Sequence, residues 1–152
     1  MREHIKSLAD KIVNKEHLYL IGRGLQFATA LESALKIKEV SYIHAEAFSA
    51  GELKHGPLAL ISDGTPVIVF VSKGDEKTIS NAHEVKTRGG FLIGVSSQKY
   101  EIFDHWIKVP ECGELNPIVQ VIPMQILAYE LALLKGLDPD KPRNLAKSVT
   151  VP

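Results

Sequence analysis

The chain has 152 residues and a mass of 16.7 kDa, which is the length of one domain. Its 45% apolar and 24% charged residues exclude a disordered segment, a collagen-like repeat and a coiled coil. Eighteen basic and eighteen acidic residues give a formal net charge of +0, so neither nucleic acid nor an anionic membrane is an expected partner.

The first part of the chain predicts a helix, a strand and a second helix. Apolar residues recur with helical spacing on one face of residues 2–14. Residues 17–22 predict a short buried strand that ends in Gly22-Arg23-Gly24, and a helical apolar stripe follows. Phe27 stands where a GxGxxG dinucleotide motif needs its third glycine, so nicotinamide binding is not expected and the glycine turn serves close packing instead.

Three further strands follow in the order typical of a parallel sheet. Residues 66–71 are a continuous β-branched and apolar run, of the kind found where both faces of a sheet are covered. A polar helix is expected at 77–86, a third strand at 91–95 and a fourth at 105–109. Because strands alternate with helices, the sequence predicts a parallel α/β sheet with right-handed crossovers.

The most apolar stretch, residues 118–134, predicts a buried helix rather than a membrane span. Four residues break its apolar run, and a membrane helix needs about 20 continuous apolar residues; they are Gln120, Pro123, Gln125 and Glu130. The N-terminal residues lack the apolar core of a signal peptide, and Cys112 is the single cysteine. We therefore expect a cytoplasmic protein without disulfides. No cysteine pair or HExxH spacing accompanies the histidines, so no metal or cofactor is expected.

Two segments do not fit the alternation of strands and helices. Residues 41–57 are dense in ionisable side chains although they lie between two core elements. The tail, residues 138–152, combines prolines with charges, a composition that fits either an ordered extended strap or a frayed end. These two segments are the natural places to look for function.

Several polar residues have both an ordinary and a chemical interpretation. Lys36 and Glu39 lie three apart on one helix face, as a surface ion pair or a catalytic pair would. The turn Ser72-Lys73-Gly74, with Thr78, either holds a phosphate at a helix N-terminus or is an ordinary loop. A lysine in the tail, Lys147, would by default be solvated and inert.

Taken together, six segments resemble the second sugar isomerase (SIS) domain of the glutamine:fructose-6-phosphate amidotransferases. The most specific are GELKHGP within residues 51–61 and PRNLAKSVTV at 142–151. The others are GRG at 22–24, ALE at 30–32, ALKIKE at 34–39 and SYIHAEA at 41–47. The resemblance covers essentially the whole chain. It implies a single flavodoxin-like α/β SIS domain over residues 1–152, with about five parallel strands flanked by helices.

The resemblance also implies a reaction and residues that carry it. In that family the isomerase half converts fructose 6-phosphate and ammonia into glucosamine 6-phosphate. By resemblance, Glu39 is the base that moves a proton between C1 and C2, and Lys36 is the lysine beside it. His55 is the histidine assigned to ring opening, Lys147 forms an imine with the open-chain sugar, and the backbone of Ala146 lies against the substrate.

Departures from the family pattern limit what this chain is expected to do alone. The family's glutaminase has a cysteine after the initiator methionine, whereas Arg2 follows Met1 here, so glutamine hydrolysis is not expected. The family's first SIS domain, which supplies most of the phosphate cradle, is missing. The chain is therefore either an enzyme part, completed by the other SIS and glutaminase domains or by a second copy, or a non-catalytic SIS module that binds a phosphosugar or a partner protein.

The resemblance further leads us to expect a homodimer and an ordered tail. His55 is expected to serve the neighbouring subunit's site, because glycines let the loop at 51–57 project from the body. Ile43, Phe48 and Leu53 are the apolar residues that this region offers to the contact. Residues 138–152 are expected to be an ordered catalytic tail, since an imine-forming lysine in a freely moving segment would keep its solution pKa.

Overall fold

All strands of the sheet run parallel, in the spatial order β2-β1-β3-β4-β5. The computed structural model describes residues 1–145. The strands are β1 (His17–Gly22), β2 (His44–Ser49), β3 (Pro66–Phe70), β4 (Phe91–Ser96) and β5 (His105–Lys108). The helices are α1 (Arg2–Ile12), α2 (Leu25–Ser41), α3 (Glu76–Lys86) and α4 (Asn116–Leu134). The predicted α/β architecture of five parallel strands flanked by helices is confirmed.

Helices cover both faces of the sheet, so the central strand is buried along its whole length. Every residue of β3 is buried, as its continuous apolar run predicted. Ile68 and Phe70 face a core formed with α1, α2 and α4. Val67 and Val69 face a second core, to which α3 and the 3-10 helix Ala50–His55 contribute. The sheet is thus a rigid middle layer between two apolar cores.

The apolar helix α4 is part of the first core. Met124, Leu127 and Leu131 are fully buried, and the helix packs against α1 and α2. The stretch Gly113–Leu134 has a mean hydropathy of 1.5 and is long enough to cross a membrane by length and composition alone, yet 44% of its most apolar part is buried inside the domain. The helix is thus a core helix that is buried on one face, with large apolar side chains such as Ile118 exposed on the other.

Strand β2 lies in the segment that the sequence analysis left outside the alternation of strands and helices. It forms one edge of the sheet and pairs with β1 from His17 opposite His44 to Gly22 opposite Ser49. Side chains alternate between the two faces of a strand, and at the start of β2 one face is open to solvent, so His44 and Glu46 are exposed while Ala45 between them is buried. The polar residues that made this segment unlike a buried strand lie on its solvent-exposed face.

The turn between β1 and α2 requires glycine for close packing, as predicted. A Cβ at Gly22 would lie 2.5 Å from the backbone oxygen of Gln26, a separation that no side chain tolerates. Gly24 has φ 54 at the start of α2, a backbone conformation that favours glycine. The glycines thus set the path of the chain from β1 into α2.

One buried histidine ties α1 to the edge strand β5. The ring of His105, 7% exposed, stacks on the ring of His4 with centroids 4.1 Å apart. Its Nε2 atom has no hydrogen-bond partner among residues 1–145. Burial lowers the pKa of His105 to about 4, with smaller contributions from the charges of His4 and Lys11. The folded domain therefore favours neutral His105.

We predict that the domain loses stability in mild acid through His105. The folded-state pKa of about 4 lies below the ordinary histidine pKa of 6.5, so the stabilisation is complete above pH 6.5 and is lost as the pH falls towards 4. Linkage gives a loss of about 1–2 kcal/mol in the free energy of unfolding by pH 5. Urea unfolding at pH 7.5 and 5 should show this loss in the wild type and much less of it in His105→Phe. The matched control is His83→Gln at an exposed position. Equal pH dependence in the wild type and His105→Phe would remove His105 from this role.

Candidate active site

The predicted lysine and glutamate pair forms in the last turns of α2. Lys36 Nζ lies 2.6 Å from Glu39 Oε2 and 3.5 Å from Glu32 Oε1. Both members of the close pair are about two-thirds buried, with side chains 32% and 30% exposed. The hydrogen bond to Glu39 is the largest cause of a raised pKa for Lys36. Lys36 therefore stays protonated and offsets the charge of Glu39, which the helix C-terminus alone would disfavour.

Glu39 lines a cavity of about 550 Å³ at the end of α2. The opposite wall comes from the chain that returns after α4, and the lining residues are Glu39, Val40, Pro139, Asp140, Lys141, Pro142 and Leu145. A cavity of this size falls in the range that small-molecule ligands occupy. The pair is thus a partly buried carboxylate and ammonium beside a space large enough for a sugar phosphate.

The segment that forms this wall is attached next to the same helix end. The Arg143 backbone N–H donates to Tyr42 Oη at 2.8 Å, and the Arg143 guanidinium carbon lies 4.1 Å from the centre of the Tyr42 ring. Lys147 and Ala146 lie outside the described residues. The predicted ordered tail is therefore described only as far as Leu145, and its remaining residues stay a prediction.

His55 lies at the other edge of the sheet from Glu39. Here the carboxyl edge is the side of the sheet at which all five parallel strands end, and the amino edge is the side at which they begin. Both are distinct from the outer strands β2 and β5. His55 is exposed at the end of the 3-10 helix Ala50–His55, which follows β2 at the carboxyl edge. Helix α2 begins at the carboxyl edge and carries Glu39 towards the amino edge, about 20 Å away. One chain therefore does not bring His55 and Glu39 together.

The candidate phosphate turn also lies at the carboxyl edge, after β3. The Thr78 hydroxyl donates to Asp75 Oδ2 at 2.6 Å, and the Asp75 side chain caps the N-terminus of α3. The Lys73 N–H donates to a Glu111 carboxylate oxygen at 3.2 Å. Two groups that would bind a phosphate are thus occupied by side chains of the same chain. Phosphate binding by Ser72-Lys73-Gly74 and Thr78 stays a prediction. It would require the Glu111 carboxylate to release the Lys73 N–H.

Glu111 is a site residue that the sequence analysis missed. Its carboxylate accepts from Asn116 Nδ2 at 2.6 Å, Ser97 Oγ at 3.0 Å and the Gly113 N–H at 3.3 Å, besides Lys73. The hydrogen bond from Asn116 is the largest cause of a lowered pKa for Glu111. The carboxylate thus gathers donors from the loops after β3, β4 and β5, which no local sequence pattern reveals.

The described part of the chain shows no group of three or more histidine, cysteine, aspartate or glutamate side chains placed to hold a metal ion. Cys112 is exposed with a free thiol. The polar chemistry at the cavity therefore consists of Glu39, its partner Lys36 and the groups of the returning segment.

Comparison with known proteins finds one matching family and several similar proteins. The family model of the SIS domain matches residues 11–135. The chain is 53% identical over 98% of its length to a glutamine–fructose-6-phosphate aminotransferase (isomerizing) from Thermococcus kodakarensis, and 56% identical over 99% to one from Legionella pneumophila strain Paris. It spans only 26% of each of these two relatives, so it corresponds to about a quarter of their length.

Solved structures show the same similarity. The C-terminal domain of glucosamine-fructose-6-phosphate aminotransferase from Francisella tularensis superposes with a TM-score of 0.86 and 38% identity, over 92% of this chain and 42% of that one. A glucosamine-6-phosphate deaminase from Thermotoga maritima gives a TM-score of 0.72 and 30% identity, over 95% of this chain and 46% of that one. Each of these chains is more than twice as long as the part that matches.

We predict that the substitution Glu111→Ala increases phosphate binding at the turn after β3. The change frees the Lys73 N–H and removes a negative charge, and a hydrogen bond to a charged group of this kind corresponds to about 10–100-fold in affinity. Amide NMR shifts of Lys73 and Ser97 during titration with inorganic phosphate would measure this. The control is Glu114→Ala, at an exposed neighbour. If phosphate shifts these amides equally in the wild type and Glu111→Ala, the carboxylate does not compete for the turn.

Proposed function

We propose a function from one premise: this chain belongs to the SIS domain family. In this proposal the chain is the sugar isomerase part of a fructose-6-phosphate aminotransferase. That enzyme converts fructose 6-phosphate and ammonia into glucosamine 6-phosphate in the cytoplasm. The observation that carries the proposal is the pair of Lys36 and Glu39 at a cavity whose other wall leads to Lys147. Two of the titratable groups that this reaction would use, Lys36 and Glu39, thus lie together at one end of α2.

Glu39 acts as the base of the isomerisation. Moving a proton between C1 and C2 of an open-chain sugar needs one group that takes the proton from one carbon and returns it to the other. A carboxylate at the wall of the cavity has this capacity. Lys36 at 2.6 Å holds the carboxylate in place and balances its charge. The lysine is thereby a positioning and electrostatic partner of Glu39.

Lys147 supplies the amine that forms an imine with the sugar carbonyl. It follows Leu145 by two residues, and Leu145 lines the same cavity as Glu39. Two further residues of chain span at most about 7 Å, a reach that supports the assignment of Lys147 to this cavity. By the family resemblance, the backbone of Ala146, between Leu145 and Lys147 in sequence, contacts the substrate.

His55 opens the sugar ring in the site of a second copy of the chain. The length of α2 separates His55 from Glu39 of its own chain, because the two lie at opposite edges of the sheet. A homodimer in which each loop reaches the partner's cavity resolves this separation. Of the apolar residues expected at the contact, Ile43 and Leu53 are buried in the chain's own cores, so that expectation was wrong and Phe48 alone is partly available.

The rest of the longer protein is the second partner. The chain spans 26% of its first relatives, and α2 and α4 carry large apolar side chains in the solvent. Leu31 and Leu35 are 49% and 42% exposed, and Ile118 and Ile122 are 61% and 45% exposed. Contact with another domain would bury these residues favourably. The phosphate of the sugar bound at Glu39 is held by such a domain, since the Ser72 turn lies at the far edge of this one.

The first test is the effect of Glu39→Gln on turnover. We expect glucosamine 6-phosphate formation from fructose 6-phosphate and ammonium to fall by about 10²–10⁴-fold, the usual contribution of a general base. The free energy of unfolding should change by less than about 1 kcal/mol, because a partly exposed ion pair contributes little to stability.

The assay is run first on the chain alone and then, with the same substitutions, in the full-length protein. Glu101→Gln, at an exposed turn, is the matched control and should keep full activity. Wild-type turnover by Glu39→Gln would contradict the assignment of the base. Inactivity of the chain alone, with activity in the full-length protein, would show that this domain requires its partners.

The second test asks whether two chains share each site. His55→Ala and Glu39→Gln subunits, each inactive, should regain activity when they are mixed and allowed to exchange, because each mixed dimer then contains one intact site. Sedimentation should show a mass close to twice that of the chain. If isotope labelling proves exchange and no activity returns, His55 and Glu39 act in the same subunit.

A further inference from the structure

We propose that Tyr42 is a positioning residue that clamps the segment leading to Lys147 against the end of α2. This inference rests on the proposed function, since it concerns how the imine-forming lysine is kept beside Glu39. Tyr42 follows Glu39 by three residues at the C-terminal cap of α2. Its ring and hydroxyl both bind Arg143, which lies four residues before Lys147.

The left-handed backbone conformation of Tyr42 indicates that its side chain makes a stabilising contact. Its φ of 58 places it in the left-handed region, where it ends α2. Glycine and asparagine are the residues that take this conformation readily at a helix C-terminus, and a bulky aromatic residue takes it at a cost. A tyrosine at this cap therefore needs a compensating contact, which the returning segment provides.

The contact holds both the side chain and the backbone of Arg143. The guanidinium carbon lies 4.1 Å from the ring centre, the geometry of a cation–π pair. The Arg143 N–H donates to the Tyr42 hydroxyl at 2.8 Å across 101 residues of sequence. Within residues 1–145 this is the single hydrogen bond between the segment 138–145 and the rest of the domain. The position of the segment therefore depends strongly on Tyr42.

The two residues after Arg143, Asn144 and Leu145, lead the chain to the cavity. Asn144 has φ 61, so the chain bends directly after Arg143, and Leu145 lines the cavity with Glu39. Lys147 comes two residues later. Without the clamp the segment 138–145 would sample a larger volume, so the placement of Lys147 that the proposed function requires would be populated less. Tyr42 acts on the reaction through the tail, without touching substrate.

The first measurement is the trypsin cleavage rate after Arg143 in the full chain. A proline follows Lys141 and makes that bond resistant to trypsin, so the product that ends at Arg143, identified by its mass, reports access to Arg143. Cleavage after Lys99, in an exposed turn, is the internal reference. Removal of a ring stack and a hydrogen bond should raise the relative rate about 5–30-fold.

Two variants separate the clamp from the fold. Tyr42→Asn removes the ring but suits the left-handed backbone, so the melting temperature should stay the same or rise while Arg143 becomes accessible. Tyr42→Phe keeps the stack and loses the hydroxyl, so it should give an intermediate cleavage rate. An unchanged relative rate in Tyr42→Asn would overturn the proposal.

The second measurement is borohydride trapping of the imine on Lys147 with fructose 6-phosphate, read by mass spectrometry. In Tyr42→Asn the maximal trapping rate should fall about 5–30-fold, with the half-saturating sugar concentration changed less than about twofold. Tyr42→Phe should recover most of the rate. Loss of the clamp lowers the fraction of correctly placed lysine rather than the affinity for sugar, and a merely structural role would not produce this split.

The two measurements fail in different ways. If the wild type gives no labelled Lys147 either alone or in the full-length protein, the proposed function fails, and the cleavage rates still decide whether Tyr42 holds the segment. If Lys147 is labelled in the wild type and equally fast in Tyr42→Asn, the positioning role is wrong while the proposed function stands. Faster cleavage with unchanged trapping leads to the same conclusion.

Discussion

The common direction of the five strands is the constraint on which the arrangement of the site depends. Parallel neighbours need a crossover connection, so each helix must run back along the sheet from one edge to the other. Helix α2 covers about 25 Å in its 17 residues. Its start faces the strand ends where ligands of open α/β sheets usually bind, whereas its last turns carry Lys36 and Glu39. Among the described residues, the candidate groups of the proposed reaction are therefore divided between two edges, with Glu39 at one and His55 at the other.

The two cores explain how a site at the end of a helix can be precise. Strands β1 and β3 are buried on both faces, and α2 packs against β1, β2 and α4. The body of the helix is thus fixed by apolar packing, and the partly exposed pair at its end contributes little to stability. Lys36 and Glu39 are free to serve chemistry because the fold does not depend on them. Functional groups set on rigid elements keep their geometry better than groups on loops.

The sequence predicted those features that are local in the chain and missed those that are not. Four strands were predicted because their apolar runs are continuous, and the ion pair was predicted because its spacing is helical. Strand β2 was not identified because His44 and Glu46 point to solvent from an edge. Glu111 gathers hydrogen bonds from three separate loops, and Ile43 and Leu53 are buried by elements distant in sequence. Only the folded chain reveals such contacts.

The separation of Tyr42 from Arg143 in sequence gives their contact its importance. The two residues are 101 positions apart, so the closure of this loop costs conformational entropy that the contacts at its ends must offset. The hydrogen bond and the ring stack between Tyr42 and Arg143 are two weak contacts of different kinds, as the proposed entry of a sugar and release of a product would require. A segment held by many contacts would have to break all of them to move, whereas the segment 138–145, with one hydrogen bond to the rest of the described chain, can open at little cost. The left-handed cap of α2 thus joins the segment 138–145 to a helix that apolar packing holds in place.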